Sequence, residues 1–321
     1  PFEMISILPF HELFQLTIED HDIVTKFRFI SHQAYIDHLY KIYLSNSLEN
    51  TPISNNICST IFTIFATFKN INETEIIHLL FQKLLNIIDQ SEIYASKSLK
   101  VIESFLTASR NHTDALLKIG ISQYNSSLSG IQIIQRKLFA YQTRFLSLIE
   151  LINGKLNELH SVFAENPQLI QGLESFRDQI KNKCFSFDAF YAFLVKSWPD
   201  APPTEVAQIE HIKSQYDEIM KSEVTIMSIF YRISKQSNTF YQFLEANSIL
   251  KCIQNFNYNE GSELLLNTLL FINEALITWT DFRFLFLEDK SSFPSLINIS
   301  ETSAYTVKTQ AAHLFTNLFY L

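Results

Sequence analysis

Apolar residues return every three or four positions along most of this chain, the spacing of helices buried along one side rather than of strands. The clearest run extends from Ile131 to Ala164, where Ile134, Leu138, Tyr141, Phe145, Leu148 and Leu151 mark one stripe before Asn166-Pro167 stops it. Further helices are predicted over Ile23–Leu44, with Tyr35, Leu39, Ile42 and Tyr43 on one side, and over Leu169–Lys183 and Phe187–Trp198. The run Trp198-Pro199-Asp200-Ala201-Pro202-Pro203-Thr204-Glu205 reads as a stop followed by a start. Thr204 is the expected N-cap of a helix that begins near Glu205 and passes Met220 to reach Ser234. Two long helices around a Pro-rich turn imply an inserted hairpin or an enlarged repeat, with a coiled coil as the alternative although regular heptads are not sustained. Turn formers at Asn50–Asn56 separate the first helical region from the next.

Internal repetition changes this picture. Phe243-Leu244-Glu245 with Ser248 and Ile249 aligns with Phe286-Leu287-Glu288, Ser291 and Phe293, 43 residues later. The following helices keep that offset, so that Leu264, Thr268, Phe271, Ile272 and Ala275 fall on Val307, Ala311, Leu314, Phe315 and Leu318. Both sets form one apolar stripe.

The run from Val307 to Leu318 (Val-Lys-Thr-Gln-Ala-Ala-His-Leu-Phe-Thr-Asn-Leu) resembles the third helix of an armadillo repeat, and Phe286–Ile299 resembles the join between that repeat's first and second helices. Ser98–Phe105 is similar to another third helix. Asp114–Ile121 is similar to a following first helix, with Gly120 at the expected helix-to-helix turn. The resemblance covers residues 60–125 and 236–321 and leaves the middle unmatched. It implies an all-α fold, a right-handed α-solenoid of armadillo-like repeats carrying an enlarged long-helix hairpin in the middle. The corresponding divisions are a helical cap or irregular repeat at 1–59, repeats at 60–130, the long-helix segment at 131–235, and repeats at 236–321. In such stacks third helices line the inner curve, which places Lys100, Ser104, Leu270, Glu274, His313 and Asn317 at equivalent inner-face positions as candidate protein contacts. Of the Asn residues that the family displays there, only Asn317 is matched, and Ser104 and Glu274 hold the equivalent places. That departure counts against a peptide-backbone clamp of the nuclear-import type.

Composition agrees with helices and narrows the partners. Five Gly and eight Pro in 321 residues are too few for turn-rich β folds, while 29 Phe and 13 Tyr supply apolar surface for a folded core. A net charge of -8 disfavours nucleic acid and anionic membranes as partners, because phosphate neutralisation needs clustered positive charge. Cys58, Cys184 and Cys252 lie far apart and read as buried thiols of a reducing compartment, cytoplasmic with the nucleus as the alternative. Sequons at Asn72, Asn111, Asn125 and Asn298 follow from a chain rich in Asn, Ser and Thr. The apolar windows Ile57–Phe68 and Leu264–Ile277 are too short to cross a bilayer, for which about 20 residues are needed. Starting at Pro1 and ending within a helical pattern, the chain reads as part of a longer protein.

Residues with chemical potential receive structural readings. Neither a phosphate loop nor a G-x-G occurs. His11-Glu12 opens like a zinc-protease motif but lacks the second His one turn later. His32 and His38 are separated by about 240° around a helix and cannot share a metal. No serine-hydrolase elbow is present. Acid pairs Glu73/Glu75 and Glu260/Glu263 suit helix starts, where negative charge complements the dipole. Arg136, Lys137 and Arg144, with Lys181 and Lys183, read as solvated surface. Trp198 either seals a helix end or stands exposed as a contact anchor. The expectation is a non-catalytic protein–protein scaffold without cofactor or metal. A regulatory segment of a larger signalling enzyme such as a protein kinase, or of a formin-like cytoskeletal regulator, is the alternative. A hydrolase or transferase on a helical scaffold is the third reading.

Overall fold

The computed structural model describes residues 29–49, 51–71, 73–121, 123–124, 128–259, 262–289 and 305–319. Helices make up 85% of these residues, and a two-residue antiparallel pair, β1 (Gln123–Tyr124) with β2 (Leu128–Ser129), is the one strand pairing among them. The fold is all-α. The chain divides into two compact units, Pro1–Ile134 and Gln135–Leu321. None of the described helices is long and apolar enough to cross a membrane.

The first unit contains α1 (Phe29–Asn46), α2 (Pro52–Thr67), α3 (Thr74–Gln90), α4 (Ala95–Ala108) and α5 (Arg110–Ile121). Of the Asn50–Asn56 cluster expected as a break, Thr51 caps α2 and residues 52–56 start it, while Asn50 lies outside the described residues. Thr51 accepts from the Ser54 N–H at 3.1 Å, and the Ser54 hydroxyl oxygen accepts from the Thr51 N–H at 2.9 Å. α1 packs on α2 and α3, α4 on α2 and α3, and α5 on α3 and α4. Tyr94, just before α4, is buried between Phe62 and Tyr43, and its hydroxyl donates to Asn55 Oδ1 at 2.6 Å. Burying such a ring stabilises the unit by roughly 2–3 kcal/mol. His112 of α5 is also buried, with its ring nitrogens 2.9 Å from the Phe105 carbonyl and 3.1 Å from the Ile71 carbonyl. Gly120 lies within α5 rather than in a turn, a departure from the expected pattern that reflects how weakly a single glycine breaks a helix held by its neighbours.

The second unit begins within α6 (Gly130–Val162) and continues through α7 (Pro167–Lys181), α8 (Phe187–Ser197) and α9 (Pro203–Ser234). After a 3₁₀ segment at Asn238–Phe243 come α10 (Ala246–Asn255), α11 (Glu263–Thr278), α12 (Thr280–Glu288) and α13 (Tyr305–Phe319). The long helices α6 and α9 pair antiparallel: Lys155 meets Glu205, Phe145 lies 6.2 Å from Tyr216, and Gln142 meets Glu223. The buried stripe of α6 runs Leu138, Tyr141, Phe145, Leu148, Ile152, Leu156 and Leu159. Leu151, assigned to it from sequence, is exposed, because one face of a 3.6-residue helix continues four positions beyond Leu148. Thr204 is not the cap of α9: the helix begins at Pro203, whose fixed φ and missing N–H suit a first helical position. Trp198 packs edge-on against Phe163 at 5.7 Å, sealing the end of α8 against the end of α6.

α11 packs against both α9 and α13. Asn267 Nδ2 donates to the Val224 carbonyl at 3.4 Å and Phe271 lies 6.1 Å from Phe230, so α9 and α11 run parallel with partners about one repeat length apart. The aligned stripe is buried throughout α11, at Leu264, Thr268, Phe271, Ile272 and Ala275. On α13, Val307, Ala311 and Leu314 are buried, whereas Phe315 and Leu318 are half-buried. Ser291, Phe293 and the rest of the join up to Ile299 lie outside the described residues, as do His11, Glu12, Asn72, Asn125, Glu260 and Asn298.

Candidate functional site

The six inner-face candidates divide between the units. Lys100 and Ser104 lie on α4 of the first, where Lys100 is exposed and the half-buried Ser104 donates its hydroxyl to the Val101 carbonyl at 2.7 Å. Leu270 and Glu274 are half-buried on α11, and on α13 His313 is exposed and Asn317 half-buried. The structure brings Asn317 to α11: its Nδ2 donates to Asn273 Oδ1 at 3.3 Å and lies 3.5 Å from the Asn273 carbonyl. Asn273 Nδ2 in turn donates to the Gln310 carbonyl at 3.0 Å. Asn317 is therefore committed to a helix–helix contact, and Leu270, Glu274 and His313 form the more accessible part of the set in this unit.

One turn beyond Glu274, Thr278 enters the lining of a cleft of about 580 Å³. Asn238, Thr239 and Gln242 of the 3₁₀ segment form one wall, and Thr278, Thr280 and Asp281 form the other at the α11–α12 junction. Its base is aromatic: Tyr241 stacks on Trp279 at 5.1 Å, and Trp279 stacks on Phe282 at 5.2 Å. Burial pushes the Tyr241 hydroxyl above its ordinary range, with the nearby Thr278 and Ser234 side chains acting in the opposite direction. Leu244 and Ala246 add apolar surface and Asp281 is the one charged residue of the lining, whose neutral polar side chains suit directional hydrogen bonds with a partner's backbone or side chains.

A second polar centre lies in the core of the same unit. The turn after α7 is closed by Lys183 in the left-handed region, φ 56°, with Cys184 N–H donating to the Gln179 carbonyl at 2.9 Å. This turn is clasped to the α10–α11 connection. Tyr258 N–H donates to the Lys183 carbonyl at 2.7 Å, and Lys183 Nζ donates to the Gln254 carbonyl. Asn257 Oδ1 accepts from Phe185 N–H at 2.9 Å, and its Nδ2 donates to the Phe185 carbonyl at 2.8 Å and to the Tyr216 hydroxyl. Tyr216 donates onward to the same Phe185 carbonyl at 3.0 Å. Nearby on α9, Glu223 is fully buried and accepts from Gln142 Nε2. Burial raises its carboxyl to about 8, against the opposing pull of the Gln142 amide.

Sequence reasoning missed Gln142, Glu223, Asn257, Asn273 and the Tyr241–Trp279 base. One signal was present: Glu223 falls on the stripe Ile219, Ile226, Phe230 and Ile233, and Gln142 falls beside Leu138 and Phe145, polar residues where apolar ones are expected. Of the basic residues read as surface, Lys183 is instead half-buried, its Nζ donating to the Gln254 carbonyl, and two others form ion pairs. Arg144 lies 3.8 Å from Glu218, and Lys181 lies 3.2 Å from Asp178. All three cysteines are thiols outside any disulfide; Cys58 and Cys252 are buried and Cys184 is half-buried. Among the described residues no three His, Cys, Asp or Glu side chains group as metal ligands. Compared with known proteins, the chain matches no family model, no curated protein and no solved structure.

Proposed function

We propose that the chain is a non-catalytic protein–protein interaction scaffold built from armadillo-like helical repeats in a right-handed α-solenoid, working on the cytosol–nucleus side of the cell. The observation that carries this reading is the succession of helices in the second unit: α11 packs between α9 and α13, and its partners recur close to the 43-residue offset of the sequence repeat. Asn267 reaches Val224 on one side, and Asn317 reaches Asn273 on the other. A helix with neighbours on both sides is the unit of a repeat array, because one repeat alone cannot bury its apolar faces. The face of α11 that carries Glu274 and Thr278 leads into the polar cleft, so the accessible candidates adjoin a concave, hydrogen-bonding surface.

Partner contact falls in this reading to Lys100 and Ser104 of the first unit and to Leu270, Glu274 and His313 of the second, while Asn317 holds α13 on α11. Thiols outside any disulfide accord with a reducing compartment. The test combines affinity capture and cross-linking with wild type and with a Lys100/Glu274/His313 alanine variant, after circular dichroism has shown equal helix content. Loss of the same partners from every capture supports the reading. Equal recovery at equal strength refutes it.

A further inference from the structure

Glu223 is 0% exposed and, among the described residues, faces no cation. The titratable groups around it are Tyr216 on its own helix, Cys252 on α10 and Tyr258 in the α10–α11 connection. Burial raises all three and keeps them neutral, with the Glu223 charge acting in the same direction. α6 contributes the neutral Gln142 amide, and α11 brings neutral Asn267 to the adjoining main chain at Val224. Lys221, two residues earlier on α9, is exposed. An ionised carboxylate here has one hydrogen bond and no counter-charge, an arrangement that buried carboxylates avoid by holding their proton.

The polar atoms of the pair point the same way. Gln142 Nε2 donates to Glu223 Oε1, while Gln142 Oε1 and Glu223 Oε2 are both buried without a hydrogen-bond partner. A carboxylate can relieve neither, since both orphans are acceptors. A proton on Glu223 Oε2 turns one orphan into a donor and leaves the other an acceptor, the complement that a second bond within the pair requires.

We infer that Glu223 is held as a neutral carboxylic acid in a reciprocal two-bond pair with the Gln142 amide, and that this pair is a pH-sensitive latch between α6 and α9. Protonated, it joins the two long helices through an acid–amide ring. Deprotonated, it sets an unpaired charge against the Gln142 carbonyl and loosens them.

The sign follows from proton linkage. The folded state retains a proton that the unfolded chain releases near 4.5, so the stability contributed by the pair is complete below that pH. It falls as pH rises and is gone above about 8, where both states are ionised. Between those limits the folding equilibrium constant drops tenfold per pH unit from this group alone.

The experiment is urea unfolding of the whole chain across that pH window, wild type against Glu223→Gln, followed by tryptophan fluorescence. Because the glutamine amide is neutral at every pH and can pair with Gln142, the variant should lose the tenfold-per-unit decline and exceed wild type above pH 8. An equal decline in both proteins overturns the inference. Should Glu223→Gln fail to fold, infrared spectroscopy of wild type labelled with ¹³C at the glutamate carboxyl decides. A label-sensitive carboxylic-acid carbonyl band at pH 7 that disappears above pH 8 supports the latch, and its absence at pH 7 refutes it. In Gln142→Leu the band should shift to higher frequency as the carbonyl loses its donor; an unmoved band refutes the pairing.

Discussion

Asn257 offers the sharpest check on how the second unit is held together. Its side chain is 3% exposed and makes three hydrogen bonds, to the Phe185 N–H, the Phe185 carbonyl and the Tyr216 hydroxyl. In Asn257→Ala the Phe185 carbonyl keeps the Tyr216 hydroxyl as a donor, so the main loss is the Phe185 N–H, which becomes a buried orphan. An unsatisfied buried donor costs about 1–3 kcal/mol, and the two other bonds contribute about 1 kcal/mol each, so the expected loss is about 3–5 kcal/mol. Asn257→Asp preserves shape and the acceptor for Phe185 N–H but turns a second oxygen toward the Phe185 carbonyl. Two acceptors then face each other and a charge is buried, so Asp should be no better than Ala. Asn247→Ala, at an exposed position of α10, should stay within about 0.5 kcal/mol of wild type. Urea unfolding by tryptophan fluorescence is selective here, because both tryptophans, Trp198 and Trp279, belong to the second unit. A loss below about 1 kcal/mol for Asn257→Ala, or a stability order in which Asp exceeds Ala, refutes the clasp as a stabilising element.

Other substitutions probe single contacts. Ala311 is 7% exposed on α13, which packs on α11, and Ala311→Phe should overpack that contact at a cost of about 1–3 kcal/mol; an unchanged melting curve counts against the repeat alignment. Thr51→Ala removes the α2 capping box and should cost about 1 kcal/mol, read as a lower midpoint in thermal circular dichroism, with no change meaning that the cap is idle. Tyr94→Phe keeps the ring stacked on Phe62 but deletes the 2.6 Å bond to Asn55, for an expected loss of about 1 kcal/mol in the same assay. A gain in stability would show that the hydroxyl is tolerated rather than used.

The helices were legible because burial repeats along them. α9 ends at Ser234 where the pattern placed its end, and α6 starts at Gly130 and closes at Val162, near the expected Ile131–Ala164. Errors arose where two local rules compete. A hydroxyl at Thr204 is a good cap, yet Pro203 is a good first residue, and the proline starts the helix. Gly120 is a good turn former, yet it lies inside α5, which α3 and α4 cover. The clasp around Asn257 left no local trace, since Phe185 and Tyr216 are 72 and 41 residues away along the chain. Only folding brings these polar groups to one point, and no spacing rule contains that distance.

Polar residues on apolar stripes carry the information that periodicity discards. Leu264, Phe271 and Leu276 of α11 bury area, and area alone tolerates sliding one helix along another, because the dispersion energy given up at one position is regained at the next. Asn267 and Asn273 on the same helix do not tolerate it. Asn267 finds the Val224 carbonyl of α9, and Asn273 finds the Gln310 carbonyl of α13, each at a single offset along the helix pair. A shift of one residue leaves a buried amide without its acceptor, at about 1–3 kcal/mol per group, more than sliding costs an apolar pair. The apolar stripe thus makes these helices associate, and the asparagines select which residues meet. The same logic extends to Gln142 and Glu223 between α6 and α9, where the group that fixes the pairing also binds a proton, so the strength of that contact follows pH while the apolar packing around it does not.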